Sequence, residues 1–335
     1  MKPGQPSFSI ASQSQQAGLS LVELMIAITL GLILVAGLAT LIANQSATRN
    51  ELEKSARQIE NGRYAIELLR DDIEHAGFYS EYAPPKTAVY AEPDPCVSDM
   101  TAWAPATPQL PVPLYGFAGA SADPTPSACL PDYKVDTAVV VVRRTSSDLP
   151  ITTSSAAAGT PYIQVSRCNQ DTAPFVAGTT GFTLRQKDCV TPAALRKYIV
   201  RIYYVSTCNE CGTGGDTVPT LKVVEFADGA TTTRPLVEGI ENMQFDYGID
   251  TTGDGAPDGY TTAPAAGQWK DVVAVRVNIL ARNIEKTVGY TDTKSYLLSV
   301  VTGVPPIPPA NDGYKRHAFN QIVRLVNPSG RREQP

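Results

Sequence analysis

Acidic residues recur at a regular spacing in the segment DTTGDGAPD, residues 250–258. Aspartates occupy its first, fifth and ninth positions, a threonine its third and a glycine its sixth. This is the rhythm of a calcium-binding loop, in which alternate oxygen donors face the ion and the glycine permits a sharp turn. The predicted ligands are the side chains of Asp250, Thr252, Asp254 and Asp258 and the main-chain carbonyl of Ala256.

Two positions depart from a complete loop of the EF-hand type. Thr252 stands where Asp or Asn is usual, and Thr261 stands where a bidentate glutamate would close the shell. A composition rich in aspartate and glycine also favours a plain solvated turn between two strands. The sequence therefore predicts either a weak calcium site, with no other cofactor required, or a simple turn.

Cysteines form the second set of residues whose chemistry bears on function. All six lie downstream of a long apolar segment, in surroundings rich in Pro, Gly or Thr, which favours disulfides formed in an oxidising compartment. Sequence alone does not fix the connectivity, and pairing of chain neighbours is the simplest prediction. That pairing joins Cys96 with Cys129, Cys168 with Cys189, and Cys208 with Cys211.

The motif CNEC at 208–211 has the spacing of a metal half-site or of a redox pair. A zinc site needs two further ligands nearby, and a redox motif is expected at the start of a helix that follows a strand. The residues around CNEC, which is followed by GTGGD, offer neither feature. The sequence therefore predicts a plain disulfide in a surface loop.

Glu23 is the third candidate, because it is a lone charge near the start of an apolar run. From Leu24 to Ala43 there are 20 residues without a charge, about 30 Å as a helix, which matches the hydrocarbon thickness of a bilayer. An ionised carboxylate in hydrocarbon is costly unless it is paired, so its presence indicates a cationic partner. A glutamate at the level of the lipid headgroups is the simpler alternative.

A long N-terminal helix must position these residues. Beyond the apolar run, apolar residues recur at helical spacings and predict one buried stripe; its members are Leu52, Ala56, Ile59, Ile66, Leu69, Ile73 and Ala76. The helix is predicted to run from about Leu19 to His75 and to end at Gly77. We expect the neighbouring carboxylates Asp71 and Asp72 to be solvated, and His75 to act as a cation at the helix end.

The rest of the chain predicts a β-rich head. Residues 84–131 hold 11 of the 27 prolines and two cysteines, which predicts an irregular, disulfide-tied loop region. Alternating apolar runs separated by Gly- and Pro-rich loops predict a mainly antiparallel sheet with one face covered by the N-terminal helix, an α+β fold. The predicted strands are 137–144, 197–206, 221–227, 240–249, 270–282, 295–301 and 319–327.

Composition excludes several classes of function. The 335 residues, 43% of them hydrophobic, are enough for a sizeable core. The net charge of −5 and the scattered Lys and Arg residues give no electrostatic footprint for nucleic acid. Neither His75 nor His317 has a catalytic or metal-binding spacing, and GTGGD lacks the lysine and helix of a phosphate loop. No enzyme activity is predicted.

The stretch GLSLVELMIAITLGLILVAG, residues 18–37, resembles the N-terminal signal of type IV pilins and pseudopilins. In those proteins a prepilin peptidase cuts after the glycine and methylates the new N terminus. The resemblance makes Gly18 the last residue of a leader, Leu19 the first mature residue and Glu23 the fifth. It also implies that Glu23 pairs with the free amino group of the same chain or of a neighbouring subunit.

Two further stretches narrow the family. YAIELLRDDIEHAGFYS at 64–80, and LVEGIENMQFDYGID at 236–250 with VVAVRVNILARN at 272–283, resemble minor pilins of the PilW type. The resemblance implies a pilin-like fold with a leader at 1–18, a transmembrane and assembly helix at 19–43, an amphipathic helix at 44–76 and a globular head at 77–335.

The resemblance also implies a function and a location. It indicates a structural subunit that helps initiate or cap a type IV pilus, with roles in adhesion and twitching motility. Its expected partners are other minor pilins, the major pilin, a large tip adhesin and the prepilin peptidase. The expected location is the inner membrane of a Gram-negative bacterium, with the head in the periplasm, and then the pilus at the cell surface.

Two alternatives stay open at this stage. A minor pseudopilin of a type II secretion system has the same anchor, and loss of pili rather than of secreted enzymes on deletion distinguishes the two. A single-pass membrane protein whose head binds a ligand on its own requires an uncleaved leader. The mature N terminus therefore discriminates the second alternative from both pilin classes.

Overall fold

The computed structural model of the protein describes residues 18, 20–85, 88–97, 110–227 and 230–333. The chain divides into two compact units, Met1–Glu53 and Lys54–Pro335. Most of the predicted leader, Leu19 and parts of the Pro-rich region lie outside the described residues.

The first unit is helical from Leu21 onward. Helix α1 spans Leu21–Glu74, and its residues up to Glu53 belong to this unit. An 18-residue window of the helix is apolar enough to cross a bilayer, and none of that window is buried. The hydroxyl of Thr29 donates to the carbonyl of Ile26, 2.9 Å away, and that of Thr40 to Gly37, 2.8 Å away. Polar groups within the apolar run are therefore satisfied by their own helix, as a hydrocarbon environment requires.

The described residues of the second unit form the rest of α1, thirteen strands and a short C-terminal helix. The strands are β1 (Tyr90–Ala91), β2 (Leu110–Pro111), β3 (Leu114–Phe117), β4 (Val139–Thr145), β5 (Tyr162–Val165), β6 (Phe175–Gly178), β7 (Leu195–Ser206), β8 (Thr220–Ala227), β9 (Ala230–Glu238), β10 (Ile240–Ile249), β11 (Gly259–Thr261), β12 (Val272–Arg282) and β13 (Arg316–Arg324). Helix α2 spans Val326–Arg332.

Two antiparallel sheets dominate this unit. One has four strands in the order β11-β10-β12-β13. The other has seven strands, in which β7 pairs with β4, β5 and β8, while β3, β6 and β9 extend these neighbours. Strands β1 and β2 form a small parallel pair. The predicted α+β class, with a long helix and a mainly antiparallel head, is confirmed, although the single sheet expected from sequence is two sheets.

The larger sheet is buried on both faces. Val140 and Val142 of β4 belong to one core cluster, together with Leu69 and Ile73 of α1 and residues of both sheets. The alternate residues Val139 and Val141 face a second cluster, built with the Pro-rich segment and β5 to β8. All seven residues of β4 are buried in consequence. The prediction that only one face of the sheet is covered is therefore wrong for this strand.

The buried face of α1 begins later than the apolar pattern predicts. Ile66, Leu69, Ile73 and Ala76 are buried as expected, but Leu52 is 66% exposed; Ala56 and Ile59 are exposed as well. Gln58 and Gly62 take their place on the face that meets the sheets. The reason is close approach, since a Cβ on Gly62 would overlap the ring of Phe319 on β13.

The predicted strand at 295–301 is also wrong. This segment has only an isolated bridge, from Tyr296 to Ile307. Its polar groups bond instead to a buried carboxylate on β10: Ser299 Oγ donates to Asp246 Oδ1 at 2.5 Å, and the Val300 amide to Asp246 Oδ2 at 3.0 Å. Buried main-chain groups need partners, and here a side chain supplies one that a ladder would otherwise provide.

Candidate functional site

The N-terminal end of α1 is closed by Ser20 and Glu23. The Ser20 amide donates to Glu23 Oε2 at 2.9 Å, and the Glu23 amide donates to Ser20 Oγ at 3.1 Å. This reciprocal pair is a capping box, which satisfies two of the four amides that a helix leaves free at its start. Glu23 therefore has a local role that the sequence argument about a buried charge did not identify.

The carboxylate of Glu23 keeps room for a cation. A carboxylate has about four acceptor positions on two oxygens, and one of them is occupied by the Ser20 amide. Gly18 is exposed, and Leu19 lies outside the described residues. Cleavage after Gly18 would place the new amine on the residue that is covalently joined to Ser20, close in sequence to this carboxylate.

The described apolar side chains of the first unit point outward. Leu21 is 74% exposed, and Leu32, Ile33 and Leu34 are each more than 60% exposed. A Cβ added at Gly31 would meet no heavy atom within 4 Å. Soluble proteins rarely leave so long an apolar surface open, so this segment is suited to lipid or to neighbouring helices.

In the second unit, α1 is joined to the sheets by polar side chains on its buried face. Gln58 Nε2 donates to the carbonyl of Ala281 at 2.8 Å and to that of Lys315 at 2.9 Å. Asn61 Nδ2 donates to the carbonyl of Glu238 at 3.0 Å. These bonds hold the helix against carbonyl groups at or next to the ends of β12, β13 and β9.

A buried carboxylate, Asp72, makes the strongest connection between α1 and the larger sheet. It accepts from Arg144 Nε at 2.7 Å, Arg201 Nη1 at 3.1 Å and Tyr203 Oη at 2.7 Å. Burial, and after it the Asp72 charge, raises the pKa of Tyr203, so its hydroxyl stays protonated as a donor. We call these four residues the Asp72 cluster.

The expectation that Asp71 and Asp72 are both solvated is wrong for Asp72. The side chain of Asp71 is 69% exposed, whereas that of Asp72 is 2% exposed. Successive residues of a helix point about 100° apart, so one faces water and the other the sheet. The signal in the sequence is spacing: Asp72 lies three residues after Leu69, on the buried stripe.

The loop at 250–258 brings together some of its predicted calcium ligands. Thr252 Oγ1 lies 3.4 Å from Asp250 Oδ1 and 3.5 Å from Asp258 Oδ1. Asp254 instead accepts from the Ala256 amide at 2.9 Å and faces solvent. No group of three carboxylates from this loop has its ligand atoms all within 4.8 Å.

Asp250 already has cationic and amide partners. It accepts from the amides of Gly253 at 2.6 Å and Gly255 at 2.9 Å, and from Arg332 Nη1 at 3.2 Å. Burial alone would raise the pKa of Asp250, but these hydrogen bonds and the Arg332 charge outweigh it and leave the pKa below its ordinary value. Arg332 contacts Oδ2 of Asp250, whereas the Thr252 hydroxyl lies at Oδ1, so the carboxylate already has a cation on one oxygen.

The six cysteines form three disulfides between chain neighbours. The bonds join Cys96 to Cys129, Cys168 to Cys189, and Cys208 to Cys211. This is the pairing expected from the sequence. The first bond closes the Pro-rich segment, the second closes the segment that contains β6, and the third closes the CNEC loop after β7.

The two histidines have structural surroundings. His75 Nδ1 lies 2.6 Å from the carbonyl oxygen of Asp71, and the His317 ring packs edge-on against Phe319 with centroids 4.6 Å apart. Within the described parts of the chain, neither histidine belongs to a group of side chains placed to ligate a metal.

The open apolar helix after Gly18 and the antiparallel β head have the features that the resemblance to type IV pilins implies. The family model of the prokaryotic N-terminal methylation motif matches residues 13–39. The model of PilW, type IV pilus-assembly protein W, matches residues 202–327, which include β8 to β13. These two matches confirm the predicted resemblance to PilW-type pilins with an N-methylation motif.

Other comparisons add little. Comparison with curated proteins gives no match. Among solved structures, a type IV-like pilin from Thermus thermophilus is similar, with 16% identity and a TM-score of 0.27, over 51% of this chain and 88% of that chain.

Proposed function

We propose that the chain is a structural minor pilin that helps initiate or cap a type IV pilus after a prepilin peptidase cuts behind Gly18. One observation supports the proposal most strongly: an apolar helix whose side chains are unburied begins three residues after Gly18. Glu23 lies exposed in the first turn of this helix and caps its N-terminal end. Such a helix needs lipid before assembly and helical neighbours afterwards.

In this proposal the Glu23 carboxylate pairs with the amine that cleavage creates at Leu19. The capping box holds the carboxylate at the start of α1, and the carboxylate retains acceptor positions for an ammonium group. In hydrocarbon such a charge is tolerated when paired. A neighbouring subunit's amine satisfies the same chemistry, and the pair then acts as a docking contact between subunits.

The large head suits a subunit present in few copies. A unit spanning Lys54–Pro335 is bulky for tiling throughout a thin filament. We propose other minor pilins, the major pilin and a large tip adhesin as partners, with the head in the periplasm before assembly and on the pilus of a Gram-negative bacterium afterwards. Adhesion and twitching motility follow from that placement.

Mass spectrometry of the mature N terminus tests the pilin class. N-methyl-Leu19 is the expected result, whereas an intact Met1 to Gly18 in membrane-extracted protein would overturn the proposal in favour of a membrane protein with an uncleaved leader. Deletion of the gene then tests the role: loss of pili with normal secretion supports a minor pilin. Loss of secreted enzymes with normal pili would support a type II secretion pseudopilin instead.

The sequence leaves two alternatives for the loop at 250–258, a weak calcium site and a plain turn. Asp250, Thr252 and Asp258 are the residues whose oxygens lie together, and bound calcium would supply positive charge there. Arg332 already supplies positive charge to Asp250. We therefore propose that the loop is closed without a metal, and that calcium competes with Arg332 if it binds.

A further inference from the structure

The disulfide between Cys208 and Cys211 lies against a buried cation. Nζ of Lys222 on β8 is 3.1 Å from Cys211 Sγ, and Lys222 is 6% exposed. This is the only hydrogen bond of the Lys222 side chain within the described part of the chain. In the same part of the chain, no sulfur of the other two disulfides contacts a charged nitrogen.

Strand alternation explains why Lys222 faces the sulfur. Its neighbours Leu221 and Val223 point into the core beneath α1, so Lys222 points to the opposite face of the sheet. Across the ladder it pairs with Tyr204 of β7, two residues before Ser206. The CNEC loop leaves β7 at that point and folds back over the face that carries Lys222.

Further polar groups surround the two sulfurs. Ser206 Oγ lies 3.7 Å from Cys211 Sγ and 3.9 Å from Cys208 Sγ. A carboxylate oxygen of Asp132 and both sulfurs all lie within 4.8 Å of one another. We call Cys208, Cys211, Lys222, Asp132 and Ser206 the CNEC cluster.

Lys222 also acts on the Asp216 carboxylate, whose pKa its charge helps to lower, but no hydrogen bond joins the two among the described residues. Burial of a charge is costly, and a thiolate on Cys211 would be an anion in direct contact with the Lys222 ammonium. A carboxylate oxygen of Asp132 lies within 4.8 Å of both sulfurs and opposes a thiolate on either, so one thiolate at most is favoured, on the cysteine that contacts Lys222. The contact with Lys222 stabilises the reduced form relative to the oxidised one.

The oxidised form gains little from chain closure. Cys208 and Cys211 are 3 residues apart, whereas the other disulfides span 33 and 21 residues. Constraint of the unfolded chain grows with the length of the closed loop. We propose that Cys208–Cys211 is a redox-active disulfide that exchanges with the cysteine thiols of a protein dithiol, with Cys211 as the cysteine that forms the thiolate.

Exposure decides where exchange starts. Cys211 is partly exposed, while Cys208 is 7% exposed. A thiolate of the dithiol attacks Cys211 Sγ, the bond between the two cysteines breaks, and Cys208 leaves as a thiolate that takes a proton. The second thiolate of the dithiol then attacks its own partner sulfur in the mixed disulfide. The dithiol becomes a disulfide, and Cys211 leaves as a thiolate beside Lys222.

The step balances. Two electrons pass from the dithiol to the CNEC pair, and of the two thiol protons one ends on Cys208 and one in solvent. In the reverse direction, the two thiols of Cys208 and Cys211 are oxidised to the disulfide, and the disulfide of the partner protein is reduced to a dithiol. This interpretation replaces the plain surface disulfide expected from the sequence, which contained no sign that Lys222 lies against the sulfur.

Other charged groups near the loop have partners of their own. The Asp216 carboxylate accepts the amides of Asn209 and Glu210, both at 2.8 Å, and the first of its stabilising contacts, that from Glu210, helps to hold its pKa low. Glu238 Oε1 accepts from Asn209 Nδ2 at 2.7 Å. Lys222 also helps to lower the pKa of Asp216, but among these groups it is the one that hydrogen-bonds to a cysteine sulfur, so its charge favours the thiolate of Cys211.

A redox titration of the full-length protein in detergent micelles tests the proposal. The protein is equilibrated with graded ratios of reduced to oxidised dithiothreitol and quenched in acid; free thiols are then alkylated and mapped by mass spectrometry. Cys208–Cys211 is expected to be half reduced at a ratio at least about tenfold lower than either other disulfide. Reduction together with the others, or after them, would overturn the proposal.

Substitution of Lys222 separates the effect of its charge on disulfide reduction from the effect of the short loop. Lys222→Met is expected to raise the ratio for half reduction about tenfold, and Lys222→Arg to keep it near the wild-type value. The pKa of the Cys211 thiol, measured from the pH dependence of its alkylation, should lie below the ordinary value of about 8.5 in the wild type and rise in Lys222→Met. An unchanged midpoint in Lys222→Met contradicts the assignment.

The other two disulfides serve as an internal control for folding. Their midpoints are expected to be the same in all three proteins. If Lys222→Met disturbs them, Lys222→Arg and the wild-type pH profile still decide the matter, because a Cys211 thiol with an ordinary pKa in the wild type would end the proposal. Pilus assembly does not enter these measurements, so they stand or fall independently of the proposed function.

Discussion

The carboxylate of Asp72 on α1 lies 2.7 Å from Nε of Arg144 on β4, with the two side chains 2% and 10% exposed. Arg201 and Tyr203 on β7 complete its shell. A single helical residue thus contacts two adjacent strands of the larger sheet. Because the charges are desolvated, they are tolerated only while every member keeps its partners.

Asp72→Ala is expected to lower the free energy of unfolding by about 3 kcal/mol, because it leaves the buried Arg144 guanidinium without its carboxylate. The partly exposed Arg201 keeps Glu225 as a second partner. Denaturant unfolding followed by circular dichroism measures the change. Asp71→Ala is the matched control, since that side chain is 69% exposed and its loss should change stability by no more than about 0.5 kcal/mol. Equal losses in the two variants would contradict the role assigned to Asp72.

Much of the fold follows from periodicity in the sequence. The apolar run and the helical stripe predicted α1, which ends at Glu74 rather than His75. Alternation predicted β4, β7, β8, β10 and β12 closely, because each carries enough Val, Ile and Tyr to be recognised on its own. The strand at 319–327 was placed three residues late, since β13 spans Arg316–Arg324 and α2 follows.

What periodicity missed depends on partners distant in sequence. Strand β9, with the run of Thr231 to Thr233, is a strand because β8 pairs with it along its length. The segment at 295–301 is apolar yet bonded to Asp246 instead of a ladder. The contacts of Asp72 and Lys222 likewise join residues of different elements, and no local pattern records them.

Gly62 of α1 is required by the ring of Phe319. A Cβ at Gly62 would overlap that ring, so Gly62→Ala is expected to destabilise the protein by about 1–3 kcal/mol despite the better helix propensity of alanine. Gly330→Ala is a helical control, because nothing lies within 4 Å of the added Cβ there. In thermal unfolding, the melting temperature should fall in Gly62→Ala and rise in Gly330→Ala. A higher melting temperature in Gly62→Ala would mean that helix and sheet are further apart than described.

Acid is expected to weaken the contact between Asp250 and Arg332. The pKa of Asp250 in the folded protein is below its ordinary value of 3.8, so its contribution to stability is present above that pH and is lost as the pH falls through the folded value. The free energy of unfolding should therefore fall on acidification below about pH 4. The slope should be smaller in Asp250→Asn, which has no proton to bind; identical slopes would exclude Asp250 as a contributor.

Calcium binding at 250–258 is expected to depend on Arg332. Isothermal titration calorimetry of the wild type with millimolar calcium should give little or no heat, because Arg332 neutralises Asp250. Arg332→Ala removes this competitor and should increase any calcium affinity towards the roughly 0.1 to 1 mM of weak extracellular sites. The double variant Arg332→Ala, Asp258→Ala should bind no calcium. Strong binding by the wild type would show that Arg332 yields to the ion.

Glu23 has an observed role as a cap for α1 and a proposed role as a charge for assembly, and three substitutions distinguish the two. Glu23→Gln keeps a side chain that can complete a capping box but has no charge. Ser20→Ala removes the hydroxyl of the cap but keeps the carboxylate, and Glu23→Ala removes both functions of the glutamate. Cleavage after Gly18 is expected to continue in all three, as measured by mass spectrometry of the N terminus.

Pilus counts by electron microscopy then identify the role that matters. If Glu23 pairs with an amine, Glu23→Gln should reduce piliation as strongly as Glu23→Ala, while Ser20→Ala should assemble nearly normally. If the cap is what matters, Glu23→Gln should assemble and Ser20→Ala should fail. Because an uncharged carboxamide cannot form an ion pair but can accept the Ser20 amide, Glu23→Gln is the variant whose behaviour decides between the two.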